Sequence, residues 1–175
     1  MKKILALVLT LVLAFSISAT ALGEGYKIGF SDIYLTPSWM QQMKGMLDTR
    51  VDYWKEKGVI SEFTLANANG DNSKQIADIQ NMVAEGYDAI IIIAGSATAL
   101  NNAVDEAMSK GVVVVNTNSL VTTPGTSVLA TSDEEYGATC AQWLMDEMGG
   151  KGKIIMFSGP AGVATSDLRQ KGAES

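Results

Sequence analysis

The stretch that decides the fold is residues 86–119, GYDAIIIIAGSATALNNAVDEAMSKGVVVVNTNS. It holds two unbroken apolar runs, residues 89–93 and 112–115, on either side of a segment with helical spacing that ends at Gly111. Apolar runs without polar alternation are typical of strands buried on both faces, as the strands of a parallel sheet are. The stretch therefore predicts a strand, a helix over residues 97–110 and a second strand parallel to the first.

The same alternation of strands and helices extends through the rest of the chain. It predicts further strands at residues 26–31, 62–66, 127–130 and 153–157. It also predicts helices at residues 38–57 and 134–148, a helix that is capped by Asn72-Ser73 and ends at Gly86, and a last helix that begins at Thr165 or Ser166. Consecutive βαβ units form a parallel sheet with right-handed crossovers. We therefore expect an α/β fold, a doubly wound parallel sheet with helices on both sides.

The amino-terminal residues indicate export. A basic start at residues 1–3 precedes an apolar run over residues 4–17, and Ala19 and Ala21 form an A-x-A arrangement of small residues. This order is typical of a secretory signal peptide, and the run is shorter than the about 20 residues that span a membrane. We predict a signal peptide over residues 1–21 and a periplasmic protein, since no lipoprotein cysteine lies near the cleavage site.

Composition argues against several classes of function. The chain has 13 basic and 19 acidic residues, and loss of Lys2 and Lys3 leaves 11 basic residues, which moves the net charge from −6 to about −8. An acidic surface repels phosphate backbones, so we expect no nucleic-acid partner. With no histidine and one cysteine, the chain lacks Ser-His-Asp and Cys-His catalysis and the common zinc sites. We expect no cofactor, no metal and no catalytic residue, and a buried thiol at Cys140.

Polar side chains follow the predicted strands at their carboxyl ends, where open parallel sheets bind ligands. Asp, Asn and Arg present several hydrogen-bonding atoms in one plane, which suits the neighbouring hydroxyls of a sugar. An exposed tryptophan at a helix start can stack on the apolar face of a sugar ring. The candidates at these strand ends include Ser31, Asn116 and Ser119, and the predicted ligand-binding residues among them are Asp32, Thr36, Ser38, Trp39, Ser96, Asn118 and Arg169.

Three of these residues also fit purely structural roles. Trp39 can pack at the start of its helix, Asp32 can cap a helix or a loop, and Asn118 can serve in a turn. The glycine-rich loop at residues 159–162 lacks the Gly-Lys-Ser/Thr of a phosphate loop, and no G-x-G-x-x-G opens the first helix. The sequence therefore gives no support to a nucleotide site.

The order of these motifs resembles the ribose-binding-protein-like family, the type I periplasmic sugar-binding proteins of ABC transporters. The resemblance extends over essentially the whole chain after residue 21. The segments that carry it are Ile28-Gly29-Phe30-Ser31-Asp32, Pro37-Ser38-Trp39, residues 67–76 with Gln80, residues 86–92, residues 111–118, Ser132-Asp133 and Arg169-Gln170-Lys171-Gly172.

The resemblance implies two lobes that close on a ligand. The first α/β lobe would cover residues 22–132, and residues 133–175 would begin a second lobe, truncated because the sequence stops within a helical pattern. Asp32, Thr36, Ser38, Trp39 and Asn118 would line the first lobe, and Arg169 would grip the sugar from the second. The chain departs from the family's pattern at two places, and both bear on which sugar is bound: Ser38 stands where relatives often have a second stacking aromatic residue, and Asn118-Ser119 replaces a common Asp-Arg pair.

The implied function is capture of a small carbohydrate, a monosaccharide by expectation, and its delivery to the permease of an ABC transporter. We expect the protein to act as a monomer without catalysis. Two alternatives stay open at this stage. The protein could present its ligand to a chemoreceptor or sensor kinase, or it could be an exported α/β hydrolytic enzyme, which the absence of histidine disfavours.

Overall fold

The computed structural model describes residues 25–159 and 163–175, so the predicted signal peptide lies outside the described residues. Strands and helices alternate along most of the chain. In order, the elements are β1 (Tyr26–Asp32), α1 (Ser38–Glu56), β2 (Ile60–Asn67), α2 (Asn72–Ala84), β3 (Ala89–Ile93), α3 (Asn101–Ser109), β4 (Val113–Thr117), β5 (Ser127–Leu129), α4 (Asp133–Glu147) and α5 (Ala164–Ala173).

The five strands form one parallel sheet in the order β2-β1-β3-β4-β5. The register places Asp32, the last residue of β1, beside Asn67 of β2 and Ile93 of β3. The carboxyl ends of the three strands therefore finish at the same level. The predicted α/β class with a parallel sheet is confirmed.

Two apolar clusters cover the two faces of the sheet, and β3 contributes alternate residues to each. Ile90 and Ile92 belong to the cluster formed with α2 and α3. Ile93 belongs to the second cluster, which includes Met40 of α1. Because side chains alternate between the faces of a strand, an unbroken isoleucine run supplies both cores at once. The helices therefore lie on both sides of the sheet, as the doubly wound prediction requires.

After β5, the chain forms a pair of packed helices, α4 and α5. Their backbones approach closely at two glycines. A Cβ atom added to Gly137 would lie 2.0 Å from the carbonyl oxygen of Arg169, and one added to Gly172 would lie 1.9 Å from the carbonyl oxygen of Glu134. Only glycine fits at these two positions, so the sequence itself sets how closely α4 and α5 pack.

The strand predicted at residues 153–157 is wrong, because the structure has no regular element there. Ile155 and Phe157 are 83% and 92% exposed. A strand needs a neighbour to accept its backbone hydrogen bonds, and none of the five described strands pairs with this segment. Its apolar composition indicated a buried strand, but composition alone does not supply the neighbouring strands.

Smaller differences concern helix ends and one cysteine. Asp71, rather than Asn72 or Ser73, caps α2, and its carboxylate accepts hydrogen bonds from the backbone N–H groups of Ser73 and Lys74. The helix expected over residues 97–110 begins at Asn101. Cys140 is exposed, contrary to prediction, because α4 packs mainly against one helix and leaves its other sides open.

No helix in the described ranges has both the length and the apolar character needed to cross a membrane.

Candidate ligand-binding site

The carboxyl ends of β1 and β3 are joined by the buried amide of Gln75 in α2. Its Nε2 donates to the carbonyl oxygen of Ile93 at 2.9 Å and to that of Ser31 at 3.4 Å. Its Oε1 accepts from the backbone N–H of Gly95 at 3.0 Å. One side chain thus joins the two strand ends to the loop after β3.

Asp32 lies at this edge with no exposed surface. Its Oδ1 accepts a hydrogen bond from the backbone N–H of Tyr34 at 3.1 Å, which is the loop-capping role that the sequence allowed. Its Oδ2 is also buried, and no described residue bonds to it. Burial raises the pKa of Asp32 to about 6, although the backbone N–H groups of Tyr34 and Ile33 act in the opposite direction. The side chain retains one acceptor oxygen for a further donor.

Further polar side chains at the strand ends are buried without partners. Asn116 near the end of β4 has no exposed surface, and neither its Oδ1 nor its Nδ2 bonds to any residue in the described part of the chain. Ser31 lies in the same row of the sheet, because both residues pair with Ile92, and its hydroxyl is likewise unpartnered. Buried polar groups are costly unless they are hydrogen-bonded, so this edge holds unused hydrogen-bonding capacity.

The predicted residues at the start of α1 are exposed. Pro37 is the N-cap, and no side chain caps the helix, so the first backbone N–H groups of α1 keep their donor capacity. Thr36 and Ser38 flank this proline, and both side chains are open to solvent. Trp39 is 50% exposed, whereas the next residue, Met40, is buried in the core. Packing at the helix start, the structural alternative for Trp39, therefore buries only part of its side chain.

Ser96 and Asn118 occupy the loops that follow β3 and β4. The Ser96 hydroxyl accepts from the backbone N–H groups of Thr98 and Ala99, at 3.4 and 3.2 Å, and so orders the approach to α3. Asn118 has a φ of 59°, in the left-handed region, as the turn alternative allowed. The two loops are linked, because the backbone N–H of Ala94 donates to the carbonyl oxygen of Ser119 at 2.9 Å.

Arg169 lies apart from these six residues, on α5. Its Nε donates to Oδ1 of Asp133 at 2.8 Å, and its guanidinium carbon lies 4.8 Å from the centre of the Tyr136 ring. In the described ranges, no hydrogen bond or ion pair joins Arg169 to the residues at the sheet edge. The structure thus places six predicted residues at or after the carboxyl ends of β1, β3 and β4, and the seventh on α5, which packs against α4.

Sequence reasoning did not anticipate the bonding of Gln75 or the partner of Arg169. Gln75 follows the N-cap of α2 by four residues and reads there as an ordinary polar helix residue. Asp133 precedes Arg169 by 36 residues and reads as a favourable acidic residue at a helix start. Among the residues described, no group of three or more potential metal ligands is found.

Comparison with known proteins agrees with this arrangement. Residues 28–175 match the model of the family described as periplasmic binding protein domain. The xylitol-binding protein of Mycolicibacterium smegmatis is 30% identical over 169 residues, which cover 92% of this chain and 47% of that protein. The ribose import binding protein of Bacillus subtilis is 25% identical over 186 residues, covering 98% of this chain and 59% of that protein.

A solved structure shows the same likeness. The periplasmic binding protein component of the arabinose ABC transporter from Shewanella sp. ANA-3 gives a TM-score of 0.74 at 25% identity, covering 85% of this chain and 49% of that one. The chain spans about half the length of the relatives it matches. With a family match over most of its length and a parallel sheet of the same fold, the chain belongs to the periplasmic binding protein domain family and resembles its ribose-binding-like, type I members.

Proposed function

We propose that the protein is an extracytoplasmic solute-binding protein that captures a small carbohydrate or polyol between two lobes and delivers it to the permease of an ABC transporter. The observation that carries the proposal is the buried, unpartnered oxygen of Asp32 at the carboxyl edge of the sheet. A buried carboxylate oxygen that lacks a donor suits a ligand that brings hydroxyl groups, because each hydroxyl donates one hydrogen bond.

The surroundings of Asp32 favour a sugar-like ligand over an anion. An acidic side chain with a free oxygen attracts donors and repels carboxylates and phosphates. Trp39 adds a half-exposed aromatic face near the start of α1, and sugar rings carry apolar C–H faces that stack on such rings. Hydroxyl donors together with an apolar face describe a neutral monosaccharide or its reduced polyol.

The named ligands of the relatives point to the same class. The three proteins compared above carry xylitol, ribose and arabinose in their descriptions; the second is described as an import binding protein and the third as a component of an ABC transporter. These ligands are small, uncharged and rich in hydroxyl groups. We carry over this shared chemistry, rather than any one ligand, as the proposed ligand class of the present chain.

The two-lobed arrangement divides the chain at residues 132 and 133 in this proposal. The first lobe, residues 22–132, supplies Asp32, Thr36, Ser38, Trp39, Ser96 and Asn118. The second lobe begins at residue 133 and supplies Arg169. Closure of two lobes around a bound molecule is the usual motion of such receptors. Export by residues 1–21 would place the monomeric protein in the periplasm, where it would meet the permease.

The proposal is tested with the product of the full reading frame that contains this chain. The purified protein is titrated by calorimetry with xylitol, D-ribose, D-xylose, L-arabinose and myo-inositol, with sucrose as a larger control. We expect micromolar or tighter binding of at least one of the small compounds and none of sucrose. Absence of binding to every small compound would overturn the proposed ligand class.

The remaining alternatives are outcomes of three further measurements, two on cells and one on the purified protein. Deletion of the gene is combined with an uptake assay for the bound compound. Loss of uptake on deletion supports delivery to a permease. A change in chemotaxis or gene expression without a change in uptake supports presentation to a receptor or sensor kinase. Turnover of the bound compound into a new product, followed by chromatography, would instead make the protein an enzyme.

A further inference from the structure

Asp133 and Arg169 form an ion pair that joins the two carboxyl-terminal helices. We propose that Asp133 is a positioning residue, which, with the ring of Tyr136, holds the guanidinium of Arg169 so that its terminal nitrogens donate to an uncharged ligand. The inference rests on the proposed function and deepens it, because it names what orients the arginine and which ligands that orientation favours.

Close packing of the helices brings the two charged residues together. Gly137 lies one turn after Asp133, and Gly172 lies nearly one turn after Arg169, and each glycine contacts the backbone of the opposite helix. A side chain at either glycine would push α4 and α5 apart. The short separation allows Nε of Arg169 to reach Oδ1 of Asp133 at 2.8 Å.

The exposure of the two partners differs, which decides which one orients the other. The Asp133 side chain is 7% exposed, whereas that of Arg169 is 47% exposed. Asp133 stands in the first turn of α4, where the helix dipole favours a negative charge. The carboxylate is therefore the fixed partner, and the arginine, which has a long flexible stem, takes its direction from it.

Tyr136 supplies a second restraint on the guanidinium. Its ring centre lies 4.8 Å from the central carbon of the Arg169 guanidinium, within the range of a cation–π contact. An ion pair through Nε and a ring beside the guanidinium together restrict its rotation. The terminal nitrogens, Nη1 and Nη2, make no hydrogen bond to the described residues, so their donors are free for another molecule.

The pairing also has a consequence for ligand charge. Asp133 compensates the positive charge of Arg169, so an anion gains little by approaching the pair. The free N–H groups still donate to neutral hydroxyl oxygens, because a hydrogen bond does not need a net charge on the donor. The arrangement therefore favours an uncharged ligand, and loss of Asp133 should shift the preference toward a carboxylate.

The experiment compares Asp133→Asn with the matched control Glu134→Gln in the product of the full reading frame. Glu134 also pairs across the two helices, with Lys171 at 2.9 Å, but both partners are well exposed. Titration with D-ribose and xylitol measures neutral ligands, and titration with D-ribonate measures an anion of the same carbon skeleton. Thermal unfolding without ligand reports stability separately.

We expect Asp133→Asn to weaken binding of the neutral compound at least tenfold and to raise the ratio of ribonate to ribose affinity. Asp133→Glu should restore part of the lost affinity. In an Arg169→Ala background, Asp133→Asn should cause little further loss of affinity, because both substitutions disrupt the same ion pair. Glu134→Gln should leave all affinities within twofold. Unchanged affinity and charge preference in Asp133→Asn overturn the proposal.

A second variant keeps the proposal testable if Asp133→Asn fails to fold. Tyr136 is 56% exposed, so Tyr136→Leu should leave the fold intact while it removes the ring beside the guanidinium. We expect a severalfold loss of affinity for the neutral compound, and an unchanged affinity overturns the proposal. If the unmodified protein binds none of the sugars tested, the proposed function fails, whereas binding that is insensitive to Asp133 and Tyr136 leaves that function standing.

Discussion

The Nε2 atom of Gln75 donates a hydrogen bond to the carbonyl oxygen of Ile93 at 2.9 Å, from a position with no exposed surface. The bond links the first turns of α2 to the last residue of β3. Together with the bond from Gly95 to Oε1, it closes a polar bridge inside an otherwise apolar layer. The loop that carries Ser96 starts from this bridge, so its position depends on a side chain in the first turn of α2.

Replacement of Gln75 by leucine should destabilise the protein. The change leaves the buried carbonyl oxygen of Ile93 and the partly buried N–H of Gly95 without their partner, at a cost of about 1–3 kcal/mol. Chemical denaturation of the full-length protein measures the free energy of unfolding. Asn81→Leu, on the exposed side of the same helix, is the control and should change it by no more than about 0.5 kcal/mol. Equal effects of the two changes would contradict the bridging role.

Replacement of Asp32 by asparagine should stabilise the protein above pH 6 and have little effect near pH 4. Burial raises the pKa of Asp32 from 3.8 to about 6, so the folded state holds the proton more firmly than the unfolded state. Stability from this group is greatest below the unfolded pKa and falls as the pH rises toward 6. The gain in Asp32→Asn at pH 7.5 is about 3 kcal/mol at most.

Urea denaturation of both proteins at pH 4, 5, 6 and 7.5 tests this dependence. Asparagine can keep the Oδ1 contact to the backbone N–H of Tyr34, so the comparison isolates the charge. Parallel stability profiles for the two proteins would show that the ionised carboxylate carries no penalty.

Replacement of Trp39 by alanine should weaken sugar binding by about 1–3 kcal/mol, a scale taken from bases that stack on aromatic side chains. The half-exposed ring contributes little to the core, so stability should change less than affinity. Trp54→Ala, near the other end of α1, is the matched control, because that tryptophan is similarly exposed but distant in sequence from the helix start. Calorimetry with the best-bound sugar measures both, and an affinity loss shared equally by both variants would remove Trp39 from the site.

Replacement of Gly137 by alanine should destabilise the protein by about 1–3 kcal/mol or more, because the added Cβ would lie 2.0 Å from the carbonyl oxygen of Arg169. Gly45→Ala in α1 is the control, since no heavy atom lies within 4 Å of a Cβ there. That control should stabilise its helix by about 0.5–1 kcal/mol. Thermal unfolding of the two variants should therefore shift in opposite directions, and a shared direction would show that α4 and α5 separate easily.

The sheet could be predicted from the sequence because its central strands carry their own signal. The isoleucines of β3 and the valines of β4 form continuous apolar runs, which are typical of strands in a parallel sheet. The same rule failed for residues 153–157, where an equally apolar run has no neighbouring strand among those described. Local composition indicates what a segment can form, whereas pairing depends on partners elsewhere in the chain.

The candidate site could be predicted only in outline. The rule that ligands bind at the carboxyl ends of parallel strands located Asp32, Ser96 and Asn118 correctly at one edge of the sheet. It could not reveal that Gln75 links the strand ends or that Asp133 pairs with Arg169, because those contacts join residues 18 and 36 positions apart. Whether the predicted residues bind a ligand stays a prediction.

Side chains alternate between the two faces of β3, so neighbouring residues of this strand pack against different helices. Ile92 packs with α2, which carries the Gln75 bridge, whereas Ile93 packs with α1, which carries Trp39. A change in side-chain volume at Ile92 would therefore move α2 and the hydrogen bonds of Gln75. A change in volume at Ile93 would move α1 and Trp39. Two neighbouring residues of a single strand thus pack against different helices that carry predicted binding residues, so substitutions in the core of the sheet can alter the geometry of the predicted site without replacing any of its residues.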